Sequence, residues 1–235
     1  MLWFTVIFLI TGFIFPIVDW FWDKSIKKDL HNHNKVKTYS LVMLYQWLIA
    51  GCIIIGFTSM NISLTELKFV RSALDVSALG GFTVGLMLNI IILFTVALFI
   101  PVGRKRVLAM FDAIEVLLPN GWKERLLFAA LAVTAGFCEE VIYRGFMFYY
   151  LERLDWGLTP LTIAIITSII FGLAHFYQGW KNVIFTMLVG FAMARLFISF
   201  ESLWIPIIVH ILIDLRFAVL PNVRKLLTKL NKLPA

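Results

Sequence analysis

The chain has 235 residues, of which 61% are hydrophobic and only 15% charged, with 22 Phe and a formal net charge of +7. A soluble globular domain carries about 45–50% apolar and about 25% charged residues, so this composition excludes an ordinary soluble domain. The apolar residues gather into runs near the ~20 residues that a hydrocarbon core requires. The chain therefore reads as an all-α membrane protein, a polytopic bundle of about seven transmembrane helices.

The first apolar run, residues 1–22, contains no Lys or Arg. A secretory signal would carry a basic start and a small-residue cleavage site, whereas Pro16, Ile17, Val18, Asp19 and Trp20 stand at the end of this run. A retained first span is expected. Further spans are expected at 39–60, 80–102, 126–151, 159–177, 182–199 and 203–220. Between the third and fourth, Val107, Met110, Phe111, Ile114, Leu117 and Leu118 form an apolar stripe at helical spacing beside Arg104, Lys105 and Arg106. That pattern predicts a helix lying in the membrane interface, ended by Pro119, Asn120 and Gly121. The organisation expected is three spans and this interfacial helix over 1–121, a core of four spans over 122–220, and a basic tail over 221–235. No internal repeat is evident.

Charge orients the bundle. In a seven-span arrangement Lys24, Lys27, Lys28, Lys35 and Lys37 share one side with Arg104, Lys105, Arg106, Lys123, Arg125, Lys181 and the tail residues Arg224, Lys225, Lys229 and Lys232. The opposite side holds only Lys68, Arg71 and Arg153. The positive-inside rule places the N-terminus outside and the C-terminus in the cytoplasm. The basic rim then faces anionic lipid, and the positive charge requires no nucleic-acid partner. Size and Lys/Phe/Ile-rich usage point to a bacterial plasma membrane.

Two Cys in predicted spans give no disulfide framework. Cys52 reads as a small buried apolar residue. Cys138 has a carboxylate neighbour but no His near it in sequence, which argues against a thiol nucleophile. His31 and His33 sit in a Lys- and Asn-rich connection without partner ligands and read as solvated.

The informative residues are ionisable groups inside spans: Glu139, Glu140 and Arg144 in the fourth, His175 in the fifth, and His210 and Asp214 in the seventh. Each costs about 2.5–3.5 kcal/mol at the bilayer centre on insertion scales, so such residues are functional candidates unless paired. Glu140 and Arg144 are four apart and share a helical face as an ion pair, while Glu139 points about 100° away. His210 and Asp214 share a face, as do Phe171 and His175, which sets an aromatic wall of the cavity beside that imidazole. Gly136, one turn before Glu139, admits a close helix neighbour. Arg195 and Asn89 receive no role.

A carboxylate and an imidazole facing one water act together as a general base, and a second imidazole stabilises an oxyanion. That set suffices for amide hydrolysis with or without a metal. Glu139, His175 and His210 would suit Zn²⁺ with an open position for water, although the contiguous H-E-x-x-H signature is absent.

The motifs Glu139-Glu140-x-x-x-Arg144, Phe171-x-x-x-His175 and His210-x-x-x-Asp214, in the contexts GFCEEVIYRGFMFYYL, SIIFGLAHF and SLWIPIIVHILID, resemble those of the type II CAAX prenyl protease family, also called the CPBP or Abi intramembrane proteases. The resemblance covers about residues 122–220. It implies a protease in which Glu139 and His175 activate the water and His210 and Asp214 line the oxyanion side. Glu140 and Arg144 would hold the helix in register, with Glu140 near the water. The family has been described both as metalloproteases and as glutamate-dependent hydrolases, so the resemblance leaves the cofactor open. It commonly carries Asn at the last motif position, where this chain has Asp214. An ionised Asp accepts hydrogen bonds but cannot donate one to an oxyanion, so orienting His210 is the simpler role.

The expected function is an intramembrane endopeptidase cutting a membrane-associated peptide or protein near the cytoplasmic face. Two other readings use the same residues. One is a non-catalytic family member in bacteriocin immunity or membrane-protein assembly. The other is a transporter with a Glu139–His175–His210 proton relay, a class that usually shows the internal repeats absent here.

Overall fold

The structure is a computed structural model and describes residues 2–28, 34–71, 100 and 117–219. The expected third span, most of the interfacial stripe, the basic tail, His31, His33 and Asn89 lie outside the described residues. Those described form six helices with short 3₁₀ turns, and no strand occurs among them.

Helix α1 covers residues 2–28, as Leu2–Leu9, a π turn at Ile10–Ile14 and Phe15–Lys28. Helix α2 is Lys35–Ser59; the Asn34 side chain caps it by accepting from the Lys37 amide. Helix α3, Trp122–Glu152, is broken in register by a π segment at Val141–Phe146. Helix α4, Pro160–Ala174, starts with Thr159 accepting from the Thr162 amide and Pro160 in the first turn, where its missing N–H costs nothing. Helix α5 is Trp180–Phe200 and helix α6 is Trp204–Val219.

Helices α1, α2, α3 and α5 are each long and apolar enough to cross a membrane. The expected fifth span is shorter than its apolar run. Helix α4 has 15 residues, a rise of about 22 Å, less than the ~30 Å hydrocarbon thickness. His175 ends it, a 3₁₀ turn at Phe176–Gln178 follows, and Gly179 at φ +87 reverses the chain into α5. The chain is thus a multi-pass membrane protein.

The outer surface agrees with lipid as solvent. On α4, Leu161, Ile165, Ile169 and Leu173 repeat every four residues and are each about half exposed, a continuous apolar stripe that a monomeric soluble protein rarely shows. Cys52, expected to be buried, is exposed on α2; within a span that surface is apolar, so a small thiol is accommodated there as readily as in the core.

Helix α3 is the axis of the bundle. Residues 140–151 are all buried, and Phe146, Tyr149 and Tyr150 pack on Phe4, Phe8 and Phe57 of α1 and α2 with ring centroids 4.6–5.8 Å apart. Helix α6 crosses α3 at Gly136, where a Cβ would fall 2.5 Å from Ile211 Cγ1 and 2.9 Å from the Ile211 amide nitrogen. Helix α4 packs on α5 at Gly172, where a Cβ would collide with Met187. These contacts, small residue against neighbouring helix, set how closely α3, α4 and α6 converge.

Candidate active site

The site forms where α3 changes from α to π geometry. Glu139 and Glu140 close the regular part of the helix, and the π segment Val141–Phe146 follows directly. Such segments are rare and recur at functional sites. Across this one, fully buried Arg144 donates from Nη1 to Glu140 Oε1 at 2.8 Å and from Nη2 to the Gly190 carbonyl at 2.8 Å. Its guanidinium also lies 4.6 Å from the centre of the Phe171 ring. One side chain therefore ties α3 to α4 and α5.

Glu140 Oε1 has a second partner. His210 Nδ1 lies 2.7 Å away. An oxygen that already accepts from Arg144 is a carboxylate oxygen, so Nδ1 carries the proton and donates. His210 Nε2 then faces inward, 3.9 Å from Glu139 Oε2 and 3.5 Å from Asp214 Oδ2. Asp214 was expected to orient His210, but the short contact belongs to Glu140. The Asp214 carboxylate is the more exposed of the two.

His175 terminates α4, and its ring is fixed by its own helix. Nδ1 lies 2.8 Å from the Phe171 carbonyl, which can only accept, so Nδ1 is the protonated nitrogen. Nε2 is left as an acceptor 3.9 Å from Glu139 Oε2. The Phe171 ring stands 4.7 Å from the His175 ring and 6.1 Å from the His210 ring, backing both imidazoles. Glu139 is thus flanked by two imidazoles through Oε2, while its Oε1 accepts from Gln46 Nε2 of α2 at 2.8 Å. Glu139 is about 26 Å along α3 from Trp122 and about 20 Å from Glu152, well inside the span.

The structure therefore gathers Glu139, Glu140, Arg144, Phe171, His175, His210 and Asp214 at one place from three helices. It also adds residues that a search for charge in the core segment passes over. Gln46 is uncharged and lies in α2. Asp19, from α1, stands 3.5 Å from the Tyr45 hydroxyl and within electrostatic reach of Glu139. As an acid inside an apolar run, Asp19 carried the same signal as Glu139. Tyr177, in the turn after His175, has its ring 5.9 Å from that imidazole. Its hydroxyl accepts from Gln178 Nε2 at 3.0 Å.

The fit of a metal ion follows from the same distances. Ligands about 2.1 Å from tetrahedral Zn²⁺ stand about 3.4 Å apart, whereas both imidazole nitrogens are 3.9 Å from Glu139 Oε2. No group of three His, Cys, Asp or Glu among the described residues is disposed to hold a metal ion. The donors present do not fit a zinc centre in this arrangement, and the metalloprotease reading gains no support from it.

Residues 121–216, which carry every member of the cluster except those from α1 and α2, match the family model described as type II CAAX prenyl endopeptidase Rce1-like. No curated protein and no solved structure matches the chain. Residues 121–216 are thus similar to the type II CAAX prenyl endopeptidases, a similarity that covers less than half of the chain.

Proposed function

We propose that this chain is an intramembrane endopeptidase in which Glu139 and His175 activate water to hydrolyse a peptide bond of a membrane-associated peptide or protein. The observation that carries the reading is the placement of Glu139 Oε2, 3.9 Å from both His175 Nε2 and His210 Nε2 within the bundle. That separation is too long for a direct hydrogen bond and suits one water shared between the groups.

A water held there donates one O–H to Glu139 Oε2 and the other to His175 Nε2, which its Nδ1–H tautomer keeps as an acceptor. Both protons are engaged, and the lone pairs of the water oxygen face the substrate carbonyl. Attack forms the new C–O bond as a proton passes to the Glu139–His175 pair. His210, when protonated at Nε2, donates to the developing oxyanion. Glu140 fixes its other nitrogen, and the Asp214 carboxylate offsets the imidazolium charge. The held proton then passes to the amide nitrogen as the C–N bond breaks, giving a carboxylic acid and an amine. Glu140 and Arg144 keep α3, α4 and α5 in register under this centre.

The reading takes the cut to lie toward the cytoplasmic face, the side to which the positive-inside rule assigns the basic connections. The test uses purified protein in vesicles with two quenched fluorogenic peptides, one prenylated and one anchored by an apolar helix. Cleavage of either by wild type, lost in Glu139→Ala, is expected. Glu139-dependent proton flux without cleavage would overturn the reading in favour of a transporter, and neither activity would favour a non-catalytic role.

A further inference from the structure

The segment that matches the protease family begins at residue 121, yet one of the shortest contacts to Glu139 comes from outside it. Gln46 lies near the middle of α2 and is 5% exposed, and its Nε2 donates to Glu139 Oε1 at 2.8 Å. An amide in the middle of a span is costly unless partnered. Interhelical hydrogen bonds in membranes stabilise only weakly on average, and α2 is already docked on α3 by other means. Trp47 stacks on Phe137 with centroids 5.4 Å apart and donates from Nε1 to Thr134 Oγ1 at 3.3 Å. The Gln46 contact adds little to that docking that an apolar side chain would not also supply.

It does supply direction. The terminal torsion of a Glu side chain is broad and nearly two-fold, so a carboxylate without a fixed partner turns about its last bond. A partner on Oε1 fixes the carboxylate plane and leaves Oε2 as the oxygen between His175 Nε2 and His210 Nε2. We infer that Gln46 is a positioning residue that aims Glu139 Oε2 at the two imidazoles, so the working site includes α2 as well as the family-matched core. This inference rests on the proteolytic reading.

The experiment compares wild type, Gln46→Leu and Thr134→Val on the same membrane-anchored peptide. Infrared spectra provide a second readout, with the Glu139 carboxylate band identified by its loss in Glu139→Gln. Gln46→Leu keeps volume but removes the donor. It is expected to lower kcat by about 10- to 100-fold, to leave KM within about twofold because no substrate contact is removed, and to shift the Glu139 band. Thr134→Val breaks the other α2–α3 hydrogen bond and is expected to leave kcat and the band unchanged. Where the Leu variant does not insert, Gln46→Asn withdraws the amide from Glu139 and is expected to act alike. An unshifted band, wild-type kcat in the Gln46 variants, or an equal loss in Thr134→Val would overturn the inference. If wild type itself does not cleave, the proteolytic reading fails, and the band shift still decides whether Gln46 aims the carboxylate.

Discussion

His210 is held by Glu140. Its Nδ1 lies 2.7 Å from Glu140 Oε1, while Asp214 Oδ2 stands 3.5 Å from Nε2. Glu140 therefore does for this imidazole what the buried Asp does in a hydrolase triad, and the same oxygen accepts from Arg144. Asp214 then stands beside the working nitrogen and not behind the ring.

This division separates two substitutions. Asp214→Asn keeps shape and adds a donor without disturbing the Nδ1 contact, so activity within about tenfold of wild type is expected. Glu140→Gln offers one carbonyl to two donors and leaves Arg144 without its counter-charge, so a loss of about 10²–10⁴ in kcat is expected. Peptide cleavage measured across pH checks both. A far larger loss in Asp214→Asn than in Glu140→Gln would return the anchoring role to Asp214.

Arg144 and Glu140 are buried without exposure, and breaking such a pair by removing one partner costs about 3–5 kcal/mol. Glu140→Ala and Arg144→Ala are therefore expected to lose folding stability together with activity. Denaturant unfolding of the detergent-solubilised protein measures it. Unchanged unfolding in both would show that the pair does not brace α3.

Glu139→Ala and His175→Ala should each abolish cleavage while the protein still inserts, and the double variant should be no worse than either alone, because in the proposed mechanism the two act on one water. Additive losses would mean separate roles.

The close approach of α3 and α6 gives a steric test that replaces no charged group. A Cβ on Gly136 falls 2.5 Å from Ile211 Cγ1, next to His210. Gly136→Ala must push the helices apart, at about 1–3 kcal/mol. A loss of about 10²-fold in kcat is expected, since small displacements of positioned groups cost that much. Wild-type kcat in this variant would mean that the α3–α6 spacing does not set the catalytic geometry.

The orientation proposed from the basic connections is open to labelling. Single-Cys variants in a background lacking Cys52 and Cys138 should be labelled from outside intact cells at Ser63, and spared at Lys24–Lys37 and beyond Pro221. Outside labelling of the Lys-rich connection would invert the topology.

Much of this protein was legible in the sequence because membrane insertion is a one-dimensional problem. Run length and charge decide which segments enter lipid, and helical period places Glu140 with Arg144, Phe171 with His175 and His210 with Asp214. Those relations hold within one helix and need no knowledge of its neighbours. What lies between helices was not legible. That His210 is held by Glu140 and Arg144 by the Gly190 carbonyl depends on helix approach at Gly136 and on a π segment that periodicity does not announce. The shortness of α4 was hidden because the aromatic residues Phe176 and Tyr177 continue past His175, where the backbone leaves the α-helix for a 3₁₀ turn. Gln46 was passed over for a related reason: an uncharged amide carries little hydropathic signal, and its meaning lies in a carboxylate 93 positions away. Tertiary packing alone sets that distance, because a directional hydrogen bond forms only when both helices are already in place.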